Sequence, residues 1–221
     1  MQRSPSLLLE SAEEPPSRAG SLALIGGIAC LNFANTSSGR GSPRHLEHLR
    51  SYDLLLVWAE HAGLLTSALR QSLSDLALAQ PAAAARVLRQ ALALREAIYT
   101  TAEALAHRAA LPADELLTLN QLLSRAMSQA TVRPCASGFT WDWAGAEPSL
   151  DRPLWPIARS AAELLTGSAH EQVKQCPGAH CGWVFLDLTK NHRRRWCEME
   201  VCGSRAKVRR YRERRRRAHA A

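Results

Sequence analysis

The sequence predicts a mainly α-helical protein that ends in a small zinc-bound module, and three observations carry that prediction. Apolar residues recur at helical spacing through most of the first three quarters of the chain. Four of the six cysteines fall in two short-spaced pairs near the C-terminus. The charge is also divided: residues 1–169 hold 14 Arg against 15 carboxylates, net −1, whereas residues 170–221 hold 14 Lys or Arg against 5, net +9, which together make the +8 of the whole chain. With 221 residues, 46% of them hydrophobic, the chain has enough apolar surface for a core and is not a disordered tail.

Residues 1–20 are rich in Ser, Pro and Glu and are expected to form a disordered lead. Gly26 and Gly27 read as a turn between a short strand and a helix, with Asn32, Asn35 and Thr36 as capping residues. The Tyr52–Ala62 stretch places Leu55, Trp58, Ala59 and Ala62 on one helical face and stops at Gly63, a natural left-handed cap. Thr66 caps a second helix reaching about Gln80, and Pro81 stands where a first-turn proline is tolerated. Val87, Ala91, Leu94, Ile98, Ala102, Leu105 and Ala109 then repeat at spacings of three and four, the strongest helical signal in the chain. Pro112 opens a further helix to about Met127. A small hairpin follows, Thr131–Arg133 with Phe139–Trp143, and Trp155–Leu165 returns to helix and closes at Gly167. Residues 21–169 therefore read as one helical domain with a minor β-hairpin, expected to sense a signal or to form a homodimer.

No signal peptide is legible in MQRSPSLLLE, and the most apolar stretch, Leu22 to Leu31, is too short to span a bilayer. The expectation is a cytoplasmic chain with no membrane partner. In that setting clustered cysteines point to metal, not disulfides. Cys176 and Cys181, then Cys197 and Cys202, are each separated by four residues, with fifteen residues between the pairs. That spacing suits one structural Zn2+ held tetrahedrally by four thiolates, which leaves no open position for a catalytic water. His180 and His192 rank below the cysteines as ligands. Trp183–Leu188 is expected to pair with Arg193–Trp196 across a turn at Asn191, giving a β-hairpin-plus-helix zinc finger, treble-clef-like or ribbon-like. Trp183, Phe185 and Trp196 would cover the metal, and Lys174 and Lys190 would offset its excess negative charge.

After Cys202, Ser204 is placed to cap a basic helix over Arg205–Arg217, with Val208 and Tyr211 as its docking face. The expected nucleic-acid contacts are Lys190, Arg193, Arg194, Arg195, Arg205, Lys207, Arg209, Arg210 and Arg212, because concentrated positive charge on a helix suits phosphates and a DNA major groove. Residues 170–221 thus read as a zinc-binding, DNA-binding domain. Cys30 and Cys135 read as buried small hydrophobes. The body offers no catalytic set of nucleophile, base and orienter, so no enzyme is expected.

At these residues the sequence resembles the bacterial family named for its Cys-Gly-Asn-Arg zinc finger. The naming tetrad here is Cys202, Gly203, Ser204 and Arg205, with Ser in place of Asn, and the likeness runs through GWVFLDLTKNHRRRWCEMEVC. It reaches the N-terminal domain at LNFANT from Leu31, where Asn32 stands for the family's usual Asp, at WAEHAGLL from Trp58 and at LREAIY from Leu94. The resemblance implies an ABATE-type helical domain joined to a four-cysteine zinc finger, in a stress-responsive transcription regulator that binds duplex DNA. Two other functions fit the charge: an RNA-binding zinc protein stacking bases on Trp183, Phe185 or Trp196, and a zinc-stapled module that binds an acidic protein patch.

Overall fold

The computed structural model describes residues 15–111, 113–144 and 148–219. Among these residues, seven α-helices carry the fold, with three two-stranded antiparallel sheets at its margins. Helix α1 (Ala29–Ala34) is followed by strands β1 (Ser37–Ser38) and β2 (Leu46–Glu47) and then by α2 (Tyr52–His61) and α3 (Ser67–Ala79). The Ser51 and Thr66 hydroxyls accept from the amides of Leu54 and Leu69, both at 3.2 Å, and so fix where α2 and α3 begin. Gly63, at φ +70°, turns the chain out of α2.

The longest helix, α4 (Pro81–His107), starts on its proline and ends at Arg108, which takes left-handed angles without being glycine. Its buried stripe of Val87, Ala91, Leu94, Ile98 and Ala102 matches the spacing in the sequence and packs against α1, α2, α3 and α5 (Ala113–Met127). Pro112, the expected opening residue of α5, lies outside the described residues. The hairpin β3 (Ala130–Cys135) and β4 (Gly138–Trp143) pairs Val132 with Trp141 and anchors through Trp143, whose ring lies 5.7 Å from that of Trp155 in α6 (Trp155–Thr166). Trp58 and Phe33 meet at 5.1 Å in the centre of the core.

Several expectations are corrected here. The lead reaches residue 20 only in composition: Ala19 is buried, and Ser17 Oγ donates to the His48 carbonyl at 2.8 Å, while residues 1–14 lie outside the described residues. Among the described residues, no strand precedes the Gly26–Gly27 turn. Asn35 is the C-terminal cap of α1, its backbone amide donating to the Leu31 carbonyl at 3.2 Å, but its side chain serves another element. Its side-chain amide donates to the Val184 carbonyl and accepts from the Val184 amide, each at 2.9 Å, clamping a strand 149 residues away. Cys30 is fully buried as expected, and burial pushes its thiol up to about 12; Cys135 is only half-buried, beside Ser137 on the hairpin.

Two buried ionisable side chains, one charged and one neutral, brace β2. Arg95 of α4, 4% exposed, donates through Nη1 and Nη2 to both Glu47 carboxylate oxygens at 2.6 Å. Next to Glu47, His48 is fully buried, with Nδ1 accepting from the Arg18 amide at 3.2 Å and Nε2 donating to Ser38 Oγ at 3.0 Å. Burial, followed by the charge of Arg18, lowers its pKa to about 4. A proton on Nδ1 would face an N–H donor, so the folded state prefers the neutral ring while the unfolded chain titrates near 6.5. The resulting stability is complete above pH 6.5 and is lost as pH falls from 6.5 towards 4. An NMR titration should place the His48 midpoint near 4; a midpoint above 6 would show that the ring is not held neutral.

Candidate metal centre and basic helix

Strand β5 (Val173–Gln175) pairs antiparallel with β6 (Val184–Leu186), and the turn between them carries the first cysteine pair. The Cys176 amide donates to the Trp183 carbonyl at 2.8 Å, and the Cys181 amide to the Gly178 carbonyl at 3.0 Å, closing a tight knuckle. Gly178 eases the close approach, since a Cβ there would lie 3.0 Å from Cys181 Cβ and 3.3 Å from Cys202 Sγ. Of the second pair, Cys197 precedes and Cys202 lies within the wide turn Met199–Gly203 that leads into α7 (Ser204–His219), with the Cys202 amide donating to the Glu198 carbonyl at 2.9 Å. One pair in a hairpin knuckle and one at a helix start is the treble-clef-like alternative.

All four sulfurs lie within 4.8 Å of one another, with Cys181 and Cys197 at 3.5 Å and Cys197 and Cys202 at 3.6 Å. A tetrahedron with Zn–S distances of about 2.3 Å has sulfur–sulfur edges of about 3.8 Å, so the donor set fits zinc. The same distances exceed a disulfide bond of about 2.05 Å by far. Thiols this close also oppose each other's ionisation: hydrogen bonds from Cys181 and Cys197 favour a Cys176 thiolate and in turn hold Cys181 and Cys197 protonated. A divalent cation removes that competition, and the positive end of α7 beside Cys202 helps to offset the charge of four thiolates. The four cysteines form a zinc-finger site for one structural Zn2+.

The loop between the pairs departs from the expected hairpin. Arg193–Trp196 does not pair with β6, whose partner is β5. Val184, Phe185 and Leu186 are buried on both faces: Val184 and Leu186 join the core of the helical body, and Phe185 joins the cysteines. A strand enclosed in this way has no free face for a polar return strand. The loop winds instead around Asp187, a fully buried carboxylate that receives Lys174 Nζ at 2.5 Å, Thr189 Oγ1 at 2.5 Å, and the amides of Arg194 and Thr189 at 2.8 and 3.1 Å. Burial alone would raise the Asp187 pKa, but the bonds from Lys174 and Thr189 outweigh it and hold the carboxyl well below its ordinary range. The left-handed residue of the loop is His192 at φ +47°, not Asn191. Its Nδ1 donates to the Asp187 carbonyl at 3.0 Å, so it turns the loop and is no zinc ligand.

Two expected charges are committed internally. Lys174 is bound to Asp187 and to the carbonyls of His192 and Arg194. Arg194 lies 4.4 Å over the Phe185 ring and donates to the carbonyls of Cys197, Trp196 (3.2 Å), Leu186 (3.4 Å) and Ile25 (3.4 Å). It is a positioning residue that ties the second cysteine pair to the body, and it leaves the set of expected phosphate contacts. Lys190, Arg193 and Arg195 are exposed, the last 5.3 Å from the Trp196 ring. Phe185, Trp183 and Trp196 pack against the cysteines as expected.

Helix α7 is exposed along its whole length except at Ala206. Val208 and Tyr211 do not dock; they are 47% and 54% exposed. Ser204 already has helical angles, and its hydroxyl donates to the Met199 carbonyl at 3.4 Å instead of capping. Arg205, Lys207, Arg209, Arg210 and Arg212 all project to solvent, with Arg209 Nε 3.8 Å from the single acid, Glu213.

The profile of the ABATE family, described as "Putative stress-induced transcription regulator", matches residues 27–168. The chain belongs to the ABATE family. The CGNR zinc-finger profile matches residues 172–215, the segment that holds the four cysteines and most of α7. Comparison with curated proteins finds no match. Among the described residues of this ABATE protein, no helix is long and apolar enough to cross a membrane. Sequence reasoning missed Asn35 and Asp187. Asp187 carried a signal, being the sole acid between Cys181 and Cys197 in a basic loop, whereas nothing local marked Asn35.

Proposed function

We propose that this ABATE protein is a cytoplasmic, non-enzymatic transcription regulator whose residues 170–221 bind duplex DNA, with residues 21–169 receiving the signal or forming a homodimer. The observation that carries this reading is α7: sixteen residues, about 24 Å at 1.5 Å per residue, presenting nine Lys or Arg against one Glu with a single buried side chain. A helix that docks through only one alanine is held at its N-terminal end by the zinc turn, and its unneutralised charge calls for a polyanion. The contacts assigned to it are Arg205, Lys207, Arg209, Arg210 and Arg212, with Lys190, Arg193 and Arg195 on the adjoining loop. Base stacking on single-stranded RNA has the weaker support: Phe185 is fully buried, and Trp183 and Trp196, half-buried, pack one side against the cysteine cluster.

Fluorescence anisotropy of the full chain with a labelled duplex tests the reading. Replacing Arg205, Lys207, Arg209 and Arg210 together by Ala should weaken binding at least about 100-fold at 0.1 M salt, and should flatten the slope of log K against log salt by about 0.9 for each phosphate that is no longer neutralised. The mutated side chains are exposed, so the melting temperature should stay put. Unchanged affinity in this variant, or no binding by the wild-type chain at low salt, would refute duplex binding through α7. Preference for single-stranded RNA in competition would turn the assignment towards RNA.

A further inference from the structure

The sequence places all the basic character in the last quarter, yet the structure brings one arginine of the neutral body to the same surface. Arg44 lines an open groove of about 840 Å3 with His180 of the knuckle and with Arg205, Arg209, Arg212 and Arg216, the α7 residues that recur at spacings of three and four. Its place there is built. The β1–β2 loop folds back on itself, with the Ser42 amide and hydroxyl donating to the Gly39 carbonyl at 3.1 and 2.8 Å and the Arg44 amide donating to Ser42 Oγ at 3.2 Å. Gly39 sits at φ +64°, where a Cβ would come within 2.4 Å of the Arg44 carbonyl oxygen, so the fold of this loop requires glycine.

The two arginines of the loop have different fates. Arg40 stacks 3.9 Å from the Tyr99 ring and is neutralised by Glu96, and Tyr99 in turn donates its hydroxyl to the Gly182 carbonyl at 3.0 Å, tying the loop to the knuckle. Arg44 is exposed and makes no ion pair among the described residues. A positioned, unpaired guanidinium at the rim of an arginine-lined groove is placed for an anion that the other arginines already attract.

We propose that the DNA-binding surface is composite, with Arg44 of the helical body binding a backbone phosphate of the same duplex that α7 engages. The inference rests on the duplex-binding reading above. Because the loop is fixed to the body, this contact would set the orientation of the body on DNA, which the arginines of one exposed helix cannot do alone.

Salt titrations of duplex binding by the full chain separate the two ideas. Arg44→Ala should reduce the log–log salt slope by about 0.9, equivalent to about tenfold in affinity at 0.1 M salt, and Arg44→Lys should retain most of the slope. Arg86→Ala removes the same charge from an exposed position on α4 outside the groove and should leave the slope unchanged. Equal behaviour of Arg44→Ala and Arg86→Ala, while the four-residue α7 variant loses binding, would overturn the composite surface and leave the α7 reading standing. Wild-type binding by the α7 variant would overturn both.

Discussion

Replacing Cys197 and Cys202 by serine will abolish the zinc content of the chain and unfold the segment after Leu186, while leaving β5 and β6 in place. The magnitude follows from the metal: zinc is worth about 10–16 kcal/mol in small finger peptides, as much as or more than the whole stability of a typical domain, at about 5–15 kcal/mol. The second pair has only Phe185, Trp183, Trp196 and Ile25 to pack against, too little apolar surface to hold the loop and α7 without the ion. The strands are different. Val173, Val184 and Leu186 are buried in the core of the helical body, and Asn35 binds both backbone groups of Val184. Metal analysis should fall from one zinc per chain to none, and hydrogen exchange should show reduced protection over 188–219 with amides of 173–186 still protected. Exchange that spreads through α4 would show that zinc holds the whole chain together; retained zinc would remove the site assignment.

Arg95→Ala will be among the most damaging single changes in the body, lowering stability by about 3–5 kcal/mol. The guanidinium is 4% exposed and binds both oxygens of Glu47 and one of Glu96, so its loss leaves a partly buried carboxylate beside an apolar core. Burial by itself would raise the Glu47 pKa, and the hydrogen bonds and charge of Arg95 bring it below the ordinary value instead. In Arg95→Ala that compensation disappears and Glu47 should titrate above the usual carboxylate range. Urea denaturation measures the loss. Arg95→Met together with Glu47→Leu should recover most of it, since replacing a buried pair by apolar groups of similar volume is often neutral. A single-variant loss below about 1 kcal/mol would mean that water reaches Glu47 and screens it.

Much of the fold was legible because it is written locally. The cap Thr66, the stop at Gly63 and the stripe from Val87 to Ala102 each depend on residues within one or two helical turns, and each forms where the spacing puts it. The zinc ligand set was legible for the same reason, since a four-residue gap is short enough for both cysteines of a pair to reach one ion. The hairpin Ala130–Trp143 was visible through its strand-forming residues and the Ser137–Gly138 turn. The partner of β6 was not. Its run of Val, Phe and Leu reads as a strand, but which neighbour it takes depends on two separate cores closing over its opposite faces.

The sequence by itself determined a helical body, a four-cysteine zinc centre and a strongly basic terminal helix, because short-range spacing, capping chemistry and net charge are properties of residues close together in the chain. Only the tertiary structure decided that the zinc module shares the core of the body, that Arg194 and Lys174 serve the loop from within, that Val208 and Tyr211 face water, and that Arg44 joins the surface of α7. The physical reason is common to all four. Whether a charge is spent on an internal carbonyl or left for a partner, and whether an apolar side chain is covered, depends on what meets it from beyond its own helix or strand: 13 to 20 residues away for Lys174, and more than a hundred where Arg194 meets Ile25 and Asn35 meets Val184.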